Sequence, residues 1–297
     1  MPKSYIKKAV IPVAGMGTRM LPATKAQRKE MLPVAGKPLI QYSVEEAAAS
    51  GIETVILVTG DRSASLIEHF KRNVELEELL ESRGQLREAE LLRSLSDLVT
   101  FCTVQQSTPR GLGHAVYCAH KVVGDEPFVV LLPDVIIDAA RPCTAQLIEA
   151  YGQLSGSIIG VRQLHPTELK RHGVVMPING DANDGSNCFR IKGLVEKPAP
   201  EKAPSHFGVL GRYLLQPSIF RFIERMFSND DAEIQLTDSL DLMAKEESVH
   251  AFQLSGEHFD AGDRAGFLRA NIRLSLKDRE LQTDIKSFLT DCLQELD

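Results

Sequence analysis

At 297 residues and 43% hydrophobic, the chain can bury a large core, as one large domain or two. No apolar run reaches the roughly eighteen residues of a membrane span, and Met1-Pro2-Lys3-Ser4 leads almost directly toward the first apolar segment, so neither a membrane partner nor a cleavable leader is expected. A formal net charge of −6 without a broad basic stripe argues against nucleic acid, and five cysteines without C-x-x-C spacing read as reduced thiols in a cytoplasmic protein.

The first predicted element is the apolar run Ala9-Val10-Ile11-Pro12-Val13-Ala14, with the length and β-branching of a buried strand. It breaks into Gly15-Met16-Gly17-Thr18-Arg19, a turn whose glycines let bare backbone N–H groups approach an anion. Five cations (Arg19, Lys25, Arg28, Lys29, Lys37) follow within nineteen residues of an acidic chain, which points to a polyphosphate held by a guanidinium fork and lysine point charges. The dinucleotide fingerprint G-x-G-x-x-G fails at Met20, and the Gly-Lys-Ser/Thr of a phosphate loop is absent.

A helix is predicted from Pro38 to Gly51, with Ile40, Val44, Ala47 and Ala48 on its apolar face, then a buried strand over 54–58. Residues 75–95 read as helix interrupted at Gly84, 99–104 and 127–132 as strands, and about 113–122 as the helix between them. This alternation predicts an α/β fold: a Rossmann-like, mixed but mainly parallel central sheet flanked by helices, with ligands beyond the carboxyl ends of the strands. In the second half, strands are expected at 157–161, 173–176, 189–195 and 208–215. Loops are expected at 179–187, rich in Gly, Asn and Asp, and at 197–205, rich in Pro and Ala. Leu281, Ile285, Phe288, Leu289, Cys292, Leu293 and Leu296 trace one face of a terminal helix, expected to pack on its own domain, with a subunit contact as the alternative.

Two acids stand out. Asp134 follows the apolar run Leu131-Leu132-Pro133, and Asp260 lies in a predicted turn, His258-Phe259-Asp260-Ala261-Gly262. Each alone reads as a cap or turn residue; together they would suit magnesium, which takes one or two carboxylates plus substrate phosphates and water. Asp263 reads as the cap of the next helix. Gln106-Ser107-Thr108-Pro109-Arg110-Gly111-Leu112-Gly113-His114 is a second glycine-bearing loop after a strand, and a side-chain amide there suits a pyrimidine edge. His114 at the helix start reads as structural. Glu196 and Lys197 are neighbours in a strand and face opposite ways unless the chain bends, which Pro198 makes possible. Glu233-Ile234-Gln235-Leu236-Thr237-Asp238 reads as the start of a helix, with no catalytic duty.

The ordered set Gly15-x-Gly17-Thr18-Arg19-x-Leu21-Pro22-Ala23-Thr24-Lys25, Lys29-Glu30-Met31-Leu32-Pro33 and Lys37-Pro38-Leu39-Ile40-Gln41-Tyr42 strongly resembles the signature of the sugar-1-phosphate nucleotidyltransferases, within them the bacterial UTP:glucose-1-phosphate uridylyltransferases. The likeness runs from about residue 8 to 266. It implies the nucleotide-diphospho-sugar transferase fold in a single domain, with a catalytic core over about 8–262 and C-terminal helices after it. It implies an enzyme that joins UTP and glucose 1-phosphate into UDP-glucose and pyrophosphate, with Mg2+ on Asp134 and Asp260. Arg19, Lys29, Lys197 and Asp134 become catalytic, while Ala14, Gly15, Gly17, Thr18, Glu30, Gln106 and Gly111 bind nucleotide, Gln106 and the Gly111 backbone reading uracil. Gly173, Glu196 and Lys197 bind the sugar phosphate, and a homo-oligomer, dimer or tetramer, is expected. The nucleophile is a phosphate oxygen whose second pKa is roughly 6, so no general base is required. The chain departs from the family pattern at Arg28, where proline is usual before the lysine, and at Ala35-Gly36, where an acid is usual. The alternatives are a dTTP-using thymidylyltransferase and a catalytically weak regulatory relative.

Overall fold

The computed structural model describes residues 6–60, 64–178, 187–227 and 233–295; most of the predicted 179–187 loop, Leu296 and Met1-Pro2-Lys3-Ser4 lie outside the described residues. In chain order, β1 (Lys8–Val13) is followed by a short hairpin of β2 (Pro33–Val34) and β3 (Lys37–Pro38), then α1 (Leu39–Ala49) and β4 (Thr54–Thr59). A helical excursion of α2 (Ala64–Phe70), α3 (Val74–Ser82) and α4 (Leu86–Ser96), broken as expected at Gly84, leads to β5 (Thr100–Gln105). The chain continues through α5 (Gly111–Cys118), α6 (His120–Val123), β6 (Phe128–Leu131), β7 (Val135–Asp138) and α7 (Cys143–Tyr151). The second half holds β8 (Ser157–Gln163), α8 (Pro166–Leu169), β9 (Gly173–Pro177), β10 (Cys188–Glu196), β11 (Phe207–Leu215), α9 (Ile219–Glu224) and α10 (Leu236–Glu246). It closes with β12 (Val249–Gln253), β13 (Glu257–Asp260), α11 (Arg264–Ser275) and α12 (Gln282–Gln294).

The main sheet has nine strands in the order β5-β4-β1-β6-β11-β8-β12-β10-β9. Its first four are parallel, β11 joins them antiparallel to β6, and β12 runs parallel to β8 in the other half, so the sheet is mixed with its largest parallel block at one end. Within that block β1, β4 and β6 are apolar on both faces because both are covered, whereas β5, at the edge, has no fully buried residue. Along β1, Val10 enters one core cluster, while Ala9, Ile11 and Val13 enter the other across the sheet. From β1 the chain moves outward to β4 and β5, then returns to β6 on the opposite side. That reversal opens a crevice at the carboxyl end of β1, the place where open α/β sheets bind ligands.

Two expectations are corrected. Asp260 is the last residue of a strand and not part of a turn, because β13 pairs antiparallel with β7 in a small separate sheet. The apolar stripe of α12 is only partly covered by its own domain: none of its described residues is fully buried, Ile285, Leu289 and Cys292 are half-buried, and Phe288 and Leu293 are 63% and 66% exposed.

Candidate active site

Strand register sets the first half of the site. Val13 pairs with Thr59, and Thr59 with Gln105, so β1, β4 and β5 end level and the next residues, Ala14, Gly60 and Gln106, stand side by side. They line a cleft of about 780 Å3 together with Gly15, Lys25, Arg28 and Ser107. Gly17 is left-handed (φ 65°), its carbonyl accepts from Thr24 Oγ1 at 2.8 Å, and a Cβ there would press on Thr24 and Lys29 at 3.1–3.3 Å. Thr18 and Arg19 stay exposed in a 3-10 turn, whereas Met20 is buried beside Leu32, Leu39, Ile136 and Phe259. The position that is glycine in dinucleotide folds is here the hydrophobic plug that fastens the loop to a small core.

Asp134 sits in the turn between β6 and β7, and a buried guanidinium braces that turn. Arg212 of β11 donates to the Leu132 carbonyl at 3.0 Å and the Val135 carbonyl at 2.8 Å, one on each side of the acid. Its charge is met by Glu46 of α1, which Nη2 reaches at 2.9 Å. Across the small sheet Asp260 is paired with Val135, and the Ala261 N–H donates to the Asp134 carbonyl at 2.8 Å. The two acids therefore meet. A Cβ placed on Gly262 would lie 2.9 Å from Asp260 Oδ1, 3.0 Å from Asp134 Oδ2 and 3.1 Å from Arg19 Nη2, so two carboxylates and a guanidinium converge on one point.

Lys29 joins them, with Nζ 2.6 Å from Asp134 Oδ2. Burial opposes charge on both partners, but their mutual attraction outweighs it: the Asp134 carboxyl is held below its usual range and the Lys29 ammonium above its own. Glu30 goes the other way. Its side chain is buried, no hydrogen bond reaches either oxygen among the described residues, and Lys29 Nζ stays 4.0 Å off. Burial therefore wins and its pKa is pushed up to about 7. Two hard carboxylates brought together around Gly262 suit a divalent cation that completes its shell with phosphate and water. Among the described residues no cluster of three or more His, Cys, Asp or Glu offers a cage that would bind an ion without substrate.

The other half lies on β9 and β10. The bend that lets Glu196 and Lys197 face the same way is made at Lys197 itself, in the left-handed region at φ 43°, and Lys197 Nζ reaches Glu196 Oε1 at 3.0 Å. Glu196 is also held by Thr237 of α10, whose hydroxyl donates to Oε2 at 2.7 Å. Gly173 leaves room for this pair, since a Cβ would stand 3.2 Å from the Thr237 hydroxyl and 3.4 Å from Glu196. This half adjoins the acids through His172. Its carbonyl accepts from the Lys197 N–H at 3.1 Å, and its ring lies 6.0 Å from that of His258, two residues before Asp260.

Gln106 is almost buried, and its Nε2 lies 3.2 Å from the Gly111 carbonyl; Gly111 is left-handed (φ 92°) and packs against Ile234. The expected cluster of five cations loses one: Lys37 is engaged by Glu45 at 2.9 Å. Arg28, where the family pattern has proline, reaches back to the Val13 carbonyl at 2.8 Å and lines the cleft. Sequence reading missed Arg212 and Glu46, which resemble an ordinary strand cation and helix acid 166 positions apart, and Thr237, set aside as helix start. It placed Asp263 correctly: its side chain accepts from the Gly266 N–H and caps α11.

Residues 8–275 match the sequence model of the nucleotidyl transferase family. The chain is 42% identical over 284 residues to a UTP–glucose-1-phosphate uridylyltransferase of Staphylococcus epidermidis, covering 96% of this chain and 97% of that protein. Among solved structures it is similar to a UTP-bound UGPase from Acinetobacter baumannii (TM-score 0.85, 37% identity, 96% of this chain and 99% of that one). It is similar also to a UDP-glucose pyrophosphorylase complexed with UDP-glucose (TM-score 0.81, 36% identity, 92% and 100%). On the match to the family model and on relatives aligned over nearly their whole length, the chain belongs to the nucleotidyl transferase family.

Proposed function

We propose that this chain transfers a uridylyl group from UTP to glucose 1-phosphate, giving UDP-glucose and pyrophosphate. The observation that carries the reading is the convergence of Asp134, Asp260 and Arg19 on one point, joined by Lys29 on Asp134. A sugar-phosphate oxygen attacks the α-phosphorus of UTP, the bond from that phosphorus to the bridging oxygen breaks, and pyrophosphate leaves with the electron pair. No proton has to be removed from the nucleophile, so positioning and charge stabilisation suffice. Asp134 and Asp260 would hold Mg2+, which when bound supplies Lewis-acid stabilisation of charge on the phosphates.

The backbone of Gly15, Gly17 and Thr18 offers N–H groups to the triphosphate, Arg19 grips it as a fork, and Lys29 brings a point charge to the reacting phosphate. Ala14, Gln106 and Gly111 take the uracil end. Glu30 belongs to the nucleotide site as the buried neighbour of Lys29. Glu196, fixed by Thr237, accepts from sugar hydroxyls beside Gly173, and Lys197 meets the sugar phosphate.

A homo-oligomer is part of the proposal, supported by the exposed apolar side chains of α12, and so is a cytoplasmic setting, supported by five free cysteines. Among the described residues no helix is long and apolar enough to cross a membrane. The reading is tested by pyrophosphate release from each nucleoside triphosphate with glucose 1-phosphate, with and without Mg2+. Dependence on both UTP and metal is expected; equal use of dTTP would move the assignment to a thymidylyltransferase, and inactivity with every pair would favour a regulatory role. Asp134→Asn is expected to cost at least about a hundredfold in turnover while the protein still folds. Turnover like that of the wild type would remove Asp134 from the metal site.

A further inference from the structure

Gln106 spends its amide nitrogen inside the protein. Nε2 faces the Gly111 carbonyl at 3.2 Å and His114 Nδ1 at 3.0 Å. A carbonyl has no proton to give, so the amide atom facing it is the nitrogen, and the orientation of the side chain follows from chemistry alone. Of the two amide protons one goes to Gly111. The other faces His114 Nδ1, which accepts it in the tautomer that carries the ring proton on Nε2, 3.9 Å from Cys118 Sγ. That leaves Oε1, an acceptor and nothing else, as the amide atom these two contacts do not use, on a residue that lines the cleft.

We propose that His114 is a positioning residue for base selection. By taking the second amide proton it locks Gln106 as an acceptor-only edge, matched to the ring N–H of uracil and mismatched to the bare ring nitrogen of cytosine. This rests on, and deepens, the uridylyl-transfer reading. Without His114 one amide proton is unclaimed and only the 3.2 Å bond to the Gly111 carbonyl holds the nitrogen inward, so turning the NH2 toward the base, which a cytosine would accept, costs one hydrogen bond fewer. Groups facing the imidazole are the Arg110 cation and the Thr108 carbonyl in the preceding loop, the Cys118 thiol one turn along α5, and the edge of the Phe227 ring at 6.1 Å. Burial, then Arg110, lowers the imidazole pKa from 6.5, so Nδ1 stays bare at neutral pH.

The test compares UTP with CTP, which carry the same triphosphate, by binding affinity and by kcat/KM with glucose 1-phosphate and Mg2+. The proteins are wild type, His114→Leu and His114→Asn. Leu removes the acceptor, and the preference for UTP should fall about tenfold, the value of one hydrogen bond. Asn puts Oδ1 where Nδ1 was, and should keep most of the preference. In the wild type the same preference should hold through neutral pH and erode only below 6.5, as the pH falls through the lowered imidazole pKa and Nδ1 gains a proton; this reading needs no variant to fold. An unchanged UTP:CTP ratio in His114→Leu, an Asn variant as unselective as Leu, or a pH-independent wild-type ratio would each overturn the proposal. Selective UTP binding without turnover would instead sink the uridylyl-transfer reading and leave the role of His114 standing.

Discussion

Replacing Arg212 with methionine asks whether the buried guanidinium serves stability or catalysis. The side chain is 1% exposed and makes hydrogen bonds to Glu46 and to the carbonyls of Leu132, Val135 and Gly211. Methionine fills much of the volume but leaves the nearly buried Glu46 carboxylate with only Thr144, whose N–H and hydroxyl donate at 2.9 and 2.7 Å. Breaking a buried pair from one side costs about 3–5 kcal/mol, which at about 2–4 °C per kcal/mol lowers the melting temperature by roughly 10 °C. The double variant Arg212→Met with Glu46→Leu removes the stranded charge, and more than half of that loss should return. Turnover should not return, because the carbonyls on either side of Asp134 remain unheld, and a displacement near 1 Å at a reacting centre costs about a hundredfold. Thermal unfolding followed by circular dichroism and the pyrophosphate assay, run on all three proteins, separate the two effects. Recovery of turnover together with stability in the double variant would refute the bracing argument. A single variant that melts with the wild type would refute the buried-pair accounting.

Glu30→Gln should change stability in a pH-dependent way. The folded pKa of Glu30 is raised to about 7 from 4.5, so the wild type is most stable below the unfolded value and loses stability as pH rises through the folded one. The glutamine variant should therefore gain up to about 3 kcal/mol over wild type above pH 7 and nothing below pH 4.5, read from urea unfolding across pH; a pH-independent difference would contradict this. Thr237→Val removes one hydrogen bond from Glu196 and should raise KM for glucose 1-phosphate about five- to tenfold with little change in KM for UTP. Equal changes in both constants would place Glu196 elsewhere. Phe288→Asp with Leu293→Asp should lower the mass found by light scattering to that of one chain; a wild type that already scatters as a single chain would end the oligomer proposal.

What was legible in the sequence was whatever local pattern controls. The parallel strands announce themselves as short β-branched runs, and three of the four end in a break that carries a predicted site residue: Gly15 after β1, Gln106 after β5, Asp134 beyond β6. The doubt over Glu196 and Lys197 came from strand alternation, and the bend was sought at Pro198 because proline is the visible breaker; the actual bend is a lysine in the left-handed region, which its identity does not advertise. Arg212 was invisible for a different reason. Within Phe207–Leu215 it reads as one polar residue in an apolar strand, and only the fold brings it to Glu46 and to the turn of Asp134. The stripe of α12 was read correctly as apolar and wrongly as internal, because periodicity marks a face to be covered without saying by what.

The arrangement explains how acids 126 positions apart can act as one unit. An antiparallel pair admits a single register once one face is buried, and Ile136 and Phe259 bury that face of the small sheet against Met20. The same plug therefore fixes the register of β7 and β13, and with it Asp134 and Asp260, and anchors the loop that carries Arg19. Below it, Arg212 ties the Asp134 turn to β11, the strand that joins the four-stranded parallel block to the rest of the main sheet. Cationic loop and acid pair are thus referenced to one small apolar cluster, and their relative positions are set before substrate arrives. For a reaction that needs no proton removed from its nucleophile, such preorganisation is what the protein has to contribute.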